Sequence, residues 1–144
     1  MYKHLLIATD GSELAGKAVS AGLELAKALG AKVTAVTVTE AWATTVSGEA
    51  ALVFPLEEYE RAAAQNAARI LADVAAQAKK QGVACETMHV TEFPAEGIVA
   101  TCKDKGCDLI VMASHGRRGL SRVLLGSQAV RVLTHSTVPV LICR

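Results

Sequence analysis

Two glycines and a serine in the last third of the chain lie where a predicted strand leads through a loop into a predicted helix. An apolar run over residues 108–112 predicts a buried strand that leads into Ala113-Ser114-His115-Gly116, and nine residues later Gly126-Ser127 opens a helical segment. Free N–H groups at a helix N-terminus and the positive end of the helix dipole both attract an anion. A glycine lets the backbone approach that anion without a Cβ in the way. This loop therefore predicts a phosphate site.

Positive charge collects around the same loop. Residues 1–108 hold ten Lys/Arg and all fourteen Asp/Glu, whereas residues 109–144 hold five arginines and no acid. Arg117, Arg118 and Arg122 lie between the two glycines, either as solvated loop charges or as forked donors to phosphate. The asymmetry favours an anionic ligand. A pI of about 7.7 and an aromatic content of 3% do not fit a nucleic-acid partner.

Composition also limits location and metal chemistry. The four cysteines form no CxxC pair and no metal-ligand spacing with histidine, which predicts ordinary, partly buried thiols. The N-terminus has no signal-peptide pattern, and no apolar run reaches the ~20 residues that a membrane span needs. We therefore expect a cytoplasmic protein without a membrane partner.

Strand and helix patterns alternate along the whole chain. The patterns predict strands over 4–9, 32–39, 83–90, 108–113 and 137–143, helices over 12–29, 56–81, 94–105 and 127–134, and a long loop over 40–55. We expect one α/β domain over 1–144, an open, doubly wound, Rossmann-like sheet of five mainly parallel strands with helices on both faces. The first and fourth strands are the most apolar, and the expected strand order is 3-2-1-4-5.

In that order the strand sequence reverses between the first and fourth strands, where ligands of such sheets bind at the carboxyl ends. Asp10 follows the first strand and would face the same crevice as the glycine loop. Two roles fit Asp10 equally well on physical grounds. It contacts a ligand there, or it complements the dipole of the helix that Ser12 caps.

The chain resembles the universal stress protein family over essentially its whole length. The resemblance lies in Thr9-Asp10-Gly11-Ser12 at the start and in Gly126-Ser127 through Val138-Pro139-Val140-Leu141 at the end. The nucleotide-binding branch of that family has a loop of glycine, two residues, glycine, nine residues, glycine, then serine or threonine. This chain departs from the loop pattern at one position, where Ala113 replaces the first glycine.

The resemblance implies a dimeric stress-response module that binds ATP or a related adenine nucleotide, with or without Mg²⁺. The implied dimer contact is the last strand, Val138 to Ile142. The implied adenosine contacts are Asp10, Ala8, Val38, Met112 and Ala113, and the implied phosphate cradle is Gly116, Gly126, Ser127 and Gln128. Beside that cradle, His115 and Arg117 are expected near the phosphates because of their place in the loop.

Two other functions remain open from the sequence. One is a slow nucleotide hydrolase or phosphotransferase that works through Asp10 and His115, although no acid is placed to orient the histidine, and we assign no catalytic residue. The other is an interaction protein of the same fold whose pocket Ala113 has closed. Trp42, in the long loop, is either a lid over the base or a hydrophobic plug.

Overall fold

In a computed structural model that describes residues 1–116 and 124–144, five strands form one sheet in the order 3-2-1-4-5. The strands are β1 (His4–Ala8), β2 (Lys32–Thr39), β3 (Cys85–Thr91), β4 (Leu109–Ala113) and β5 (Val140–Cys143). The helices are α1 (Glu13–Leu29), α2 (Trp42–Thr45), α3 (Ala50–Val53), α4 (Leu56–Gln81), α5 (Pro94–Lys105) and α6 (Ser127–His135). The predicted α/β class and strand order are confirmed, and every described strand pair is parallel.

The sheet is covered on both faces because alternate residues of each buried strand point to opposite sides. Leu5 and Ile7 of β1 pack in one core cluster together with residues of α1 and α4. Leu6 and Ala8 of the same strand pack in a second cluster with residues of α5 and α6. The near-continuous apolar pattern of β1 and β4 is explained by this double coverage.

The segment 40–55 differs from its prediction as a loop, since it contains the one-turn helices α2 and α3. The indole N–H of Trp42 donates to the carbonyl oxygen of Phe54 at 2.8 Å, and the hydroxyl of Tyr59 donates to the carbonyl oxygen of Glu40 at 2.6 Å. Neither helix has a side-chain cap. A single turn without a cap leaves too little periodicity to be recognised in sequence.

Three helices end with the same backbone motif. Gly30, Gly82 and Gly106 follow α1, α4 and α5 with φ of 63°, 71° and 67°. In each case the N–H after the glycine donates to the carbonyl five residues earlier, at 2.9 Å. This is the Schellman motif, in which the left-handed backbone favours glycine.

None of the helices described in 1–116 and 124–144 is long and apolar enough to cross a membrane.

Candidate functional site

A cavity of about 640 Å³ opens where β1, β2 and β4 end. Ten of the eleven predicted site residues line it: Ala8, Asp10, Val38, Met112, Ala113, His115, Gly116, Gly126, Ser127 and Gln128. The eleventh, Arg117, lies outside the described residues together with Arg118 and Arg122. The cavity is at the point where the strand order reverses, which is the ligand position expected for this class of sheet.

The turn after β1 is held by its own side chains. Oδ1 of Asp10 accepts the N–H of Ser12 at 2.9 Å, and Oγ of Ser12 accepts the N–H of Ala15 at 3.2 Å, so Ser12 caps α1 as predicted. Asp10 thus organises the start of α1 and also lines the cavity. A Cβ added to Gly116 would lie 2.9 Å from Oδ2 of Asp10, which shows how closely the two loops approach.

The loop after β4 needs Gly126 for a structural reason of its own. The N–H of Gly126 donates to the carbonyl oxygen of Ser114 at 2.7 Å, and a Cβ at position 126 would lie 2.9 Å from that oxygen. Because the obstacle is backbone rather than a flexible side chain, a larger residue would force the loop apart. This contact alone would require the glycine, whether or not a ligand binds.

The N-terminus of α6 faces the cavity, and its N-cap residue supplies no side-chain hydrogen bond. Gly126 is the N-cap, so Ser127 is the first helical residue rather than the cap. The first intrahelical bond within the described residues runs from the N–H of Val130 to the carbonyl oxygen of Gly126, at 3.1 Å. The N–H groups of residues 127–129 have no acceptor within α6, as is true of the first amides of every helix. They form the positive end of the α6 dipole at the cavity wall.

Side chains fix α6 against α5. Oε1 of Gln128 accepts the N–H of Ala95 at 3.2 Å, so the Gln128 side chain satisfies an amide at the start of the neighbouring helix. The guanidinium of Arg131 pairs with the carboxylate of Glu96, and its hydrogen bond lowers the pKa of Glu96. The predicted phosphate-cradle residue Gln128 therefore has a structural contact in addition to its place at the cavity.

His115 lines the cavity and has one ring nitrogen in use. Its Nδ1 lies 2.9 Å from Oγ of Ser114, whose side chain is buried at 2% exposure. Its Nε2 is buried and has no hydrogen-bond partner among the described residues. The Ser114 contact was not expected from sequence, which showed only two neighbouring residues. A buried nitrogen without a partner is costly, and in the tautomer that carries its proton on Nε2 an anion or a carbonyl of a ligand would accept that N–H.

One wall of the cavity, formed by α2 and α4, was not predicted from the sequence. Thr45 and Tyr59 line the cavity beside Glu40, and Pro94 and Ile98 line it from α5. The one signal in the sequence was a tyrosine on the inner face of α4, in a chain with only 3% aromatic residues. Trp42 is not among the lining residues, and its indole joins α2 to Phe54 instead of covering the cavity.

Ala113, the departure from the glycine pattern, ends β4 in register with Cys143. It is 7% exposed and belongs to the core cluster formed with α1 and α4. It also borders the cavity. The cavity is open with alanine at this position.

Comparison with known proteins gives consistent matches over the whole chain. The profile described as the universal stress protein family matches residues 1–144. The universal stress protein YxiE of Bacillus subtilis is 33% identical over 148 residues, which cover 100% of both chains. The structure of protein MJ0577 of Methanocaldococcus jannaschii superposes with a TM-score of 0.82 at 28% identity, over 99% of this chain and 96% of that one. A universal stress protein in complex with cAMP superposes with a TM-score of 0.74 at 28% identity, over 99% and 97%.

Proposed function

The chain belongs to the universal stress protein family, and we propose that it binds ATP or a related adenine nucleotide in the cavity between β1 and β4. In this proposal residues 1–144 form one nucleotide-binding domain, which acts in the cytoplasm as a dimeric stress-response module without a nucleic-acid or membrane partner. Binding rather than turnover is its activity.

One observation carries the proposal: the N-terminus of α6, whose N-cap Gly126 has no side chain, opens onto an apolar cavity at the reversal point of the sheet. The amides at 127–129 would donate to phosphate oxygens, helped by the helix dipole. Ala8, Val38 and Met112 give the cavity an apolar wall that suits a purine ring. The combination fits a ligand with one flat apolar end and one anionic end.

His115 and Asp10 would complete the contacts. With the His115 proton on Nε2, a phosphate oxygen near the ring would accept the N–H that has no partner among the described residues. Asp10, at the end of β1, would accept from a ribose hydroxyl while its Oδ1 keeps the turn to Ser12. A related protein of the same fold has been solved with cAMP, which supports an adenine nucleotide over other anions.

Mg²⁺ would be held mainly by the phosphates. Within the described residues, no three His, Cys, Asp or Glu side chains are grouped so that they could hold a metal ion. Asp10 and Glu40 are the carboxylates on the described wall of the cavity. We therefore expect Mg²⁺ to strengthen ATP binding by neutralising phosphate charge, with few protein ligands of its own.

The test places a negative charge where the phosphates would lie. Ser127→Asp puts a carboxylate in the first turn of α6, where the helix dipole stabilises it, so the variant should remain folded. The charge should weaken ATP binding by about tenfold or more, since it competes for the same amides. Adenosine, which has no phosphate, should bind wild type and variant alike. Ser127→Asn is the neutral control of matched size, and calorimetric titration measures all six protein–ligand pairs.

Two results would contradict the proposal. Wild-type protein that shows no heat and no thermal shift with ATP, ADP, AMP or cAMP does not bind adenine nucleotides. ATP affinity that is equal in Ser127→Asp and Ser127→Asn would mean that phosphate does not contact the N-terminus of α6. In a binding protein, ATP at about one hundred times its dissociation constant should add ~2.7 kcal/mol to the unfolding free energy.

A further inference from the structure

The three Schellman motifs at the ends of α1, α4 and α5 differ at one pair of positions. In this motif the residue after the glycine folds back on the helical residue five positions earlier, and their side chains make an apolar contact. The pair is Ala26 and Ala31 after α1, and Ala78 and Val83 after α4. After α5 the pair consists of two cysteines, Cys102 and Cys107.

This backbone motif folds Cys107 back onto Cys102. The N–H of Cys107 donates to the carbonyl oxygen of Cys102 at 2.9 Å, and Sγ of Cys102 lies 3.5 Å from the carbonyl oxygen of Cys107. Both side chains lie in the core cluster on the α5 and α6 face, at 4% and 6% exposure. The Gly106 conformation between them, with φ of 67°, fixes the approach.

The two thiols also polarise each other. The side-chain hydrogen bond from Cys107 lowers the pKa of Cys102, because a neighbouring S–H stabilises the thiolate. The same contact, followed by burial, raises the pKa of Cys107. Cys102 therefore ionises more readily than Cys107, and the thiolate is the attacking species in thiol chemistry.

We propose that Cys102 and Cys107 form a redox site, a dithiol that a hydroperoxide converts into an intrachain disulfide at the end of α5. The site lies at the amino-terminal edge of the sheet, near the start of β4, and is separate from the cavity at the carboxyl edge. The proposal does not depend on nucleotide binding.

The reaction balances with a hydroperoxide as the oxidant. The Cys102 thiolate attacks one peroxide oxygen, the O–O bond breaks, and a sulfenic acid and, from hydrogen peroxide, one water form after proton transfer. The Cys107 sulfur then attacks the sulfenic sulfur, the S–O bond breaks, and a second water leaves. Two thiols and one hydrogen peroxide thus give one disulfide and two waters.

Burial controls the rate of this reaction. A hydroperoxide reaches the sulfurs when the last turn of α5 opens, and helix ends open more readily than sheet cores. The pair should therefore react more slowly than an exposed thiol, and the disulfide should be favoured once formed, because folding brings the two sulfurs together. A disulfide that is favoured by folding distinguishes two cysteines that the fold brings together from two that are only close in sequence.

The experiment uses the full chain with Cys85→Ser and Cys143→Ser, so that only the pair remains. Native and urea-denatured protein are equilibrated in glutathione buffers and alkylated, and the mass of the intact chain is measured by mass spectrometry. The native chain should form the internal disulfide at an equilibrium constant about tenfold or more above the denatured chain. Hydrogen peroxide should produce the same species, which dithiothreitol reverses, and neither Cys102→Ser nor Cys107→Ser should form it.

The α1 motif provides the matched control. Ala26→Cys with Ala31→Cys, in a chain whose four cysteines are serine, places a dithiol in the same backbone geometry. If this control closes and the native pair stays reduced or is no more oxidisable than in urea, the proposal is overturned. Should the serine variants fail to fold, peptide mapping of oxidised wild-type protein decides instead. A crosslink between Cys102 and Cys107 supports the site, and its absence overturns it.

Discussion

At the scale of single residues, the most informative buried polar group is His4 at the start of the central strand. Its Nε2 lies 2.8 Å from Oγ1 of Thr34, and its side chain is 7% exposed. Burial lowers the pKa of His4 below its usual 6.5, and Lys32 lowers it further, while Asp108 and Glu86 act in the opposite direction. The folded chain therefore holds this histidine neutral at pH values where the unfolded chain begins to protonate it.

This predicts an acid-sensitive contribution to stability. Below pH 6.5 the unfolded state binds a proton at His4 that the folded state resists, so the unfolding free energy falls as the pH decreases towards the lowered pKa. His4→Gln should flatten this part of the profile below pH 6.5, as measured by urea unfolding. His89→Gln, at an exposed position of β3, controls for the loss of a histidine. Equal slopes in wild type and His4→Gln would contradict the assignment.

Ala113 allows a second test at residue scale. The cavity is open beside its methyl group, which packs with the core under α1 and α4, so we expect the methyl to be compatible with a bound nucleotide. Ala113→Gly should change ATP affinity by less than about threefold and should lower the unfolding free energy by roughly 0.5–1 kcal/mol, since glycine weakens a strand. Binding that appears only in the glycine variant would instead support the interaction protein with a closed pocket.

At the scale of elements, helix α1 contains two glycines in opposite environments. A Cβ at Gly16 meets nothing within 4 Å, whereas a Cβ at Gly22 would lie 2.6 Å from Cδ1 of Ile7 in β1. Gly22 thus sets how closely α1 approaches the sheet. Gly16 has no such packing role, and its place in a helix costs backbone entropy.

The two alanine variants should therefore change stability in opposite directions. Gly16→Ala should raise the unfolding free energy by up to about 1 kcal/mol, because alanine is the better helix former. Gly22→Ala should lower it by about 1–3 kcal/mol, because the methyl group overpacks the contact with Ile7. Urea denaturation of both variants measures the difference. A stabilised Gly22→Ala would show that α1 can move away from β1 without cost.

The elements also show how far sequence patterns predict this fold. Long periodic segments such as α4 are fixed by an apolar stripe and a terminal glycine. The predicted and the observed bounds of α4 are both 56–81. One-turn helices such as α2 are held by distant contacts, here from Trp42 to Phe54, and no local pattern encodes them. The site follows the same division: the β4 loop was predicted, but the Thr45 and Tyr59 wall depends on how α4 meets the sheet.

At the scale of the whole molecule, the two edges of the sheet differ in character. The residues of β3 that are exposed are polar, namely Glu86, Thr87, His89 and Thr91. The other edge, β5, exposes Leu141 at 39%, and α6 beside it exposes Val130 at 47% and Leu133 at 43%. Among the described strands, β3 and β5 each have a neighbour on one side only, but only an apolar edge gains from burial against a second copy. This contrast supports a dimer through the last strand, as proposed.

A charge at each edge distinguishes the two possible interfaces. Leu141→Glu would bury an unpaired carboxylate at a β5 interface and should convert the dimer to monomer at concentrations where wild type is dimeric. Thr87→Glu introduces the same side chain on exposed β3 and should leave the dimer intact. Sedimentation equilibrium reports both masses, and circular dichroism checks that each variant is folded. Dissociation by Thr87→Glu with no effect of Leu141→Glu would place the interface at β3, and a monomeric wild type would remove the dimer from the proposed function.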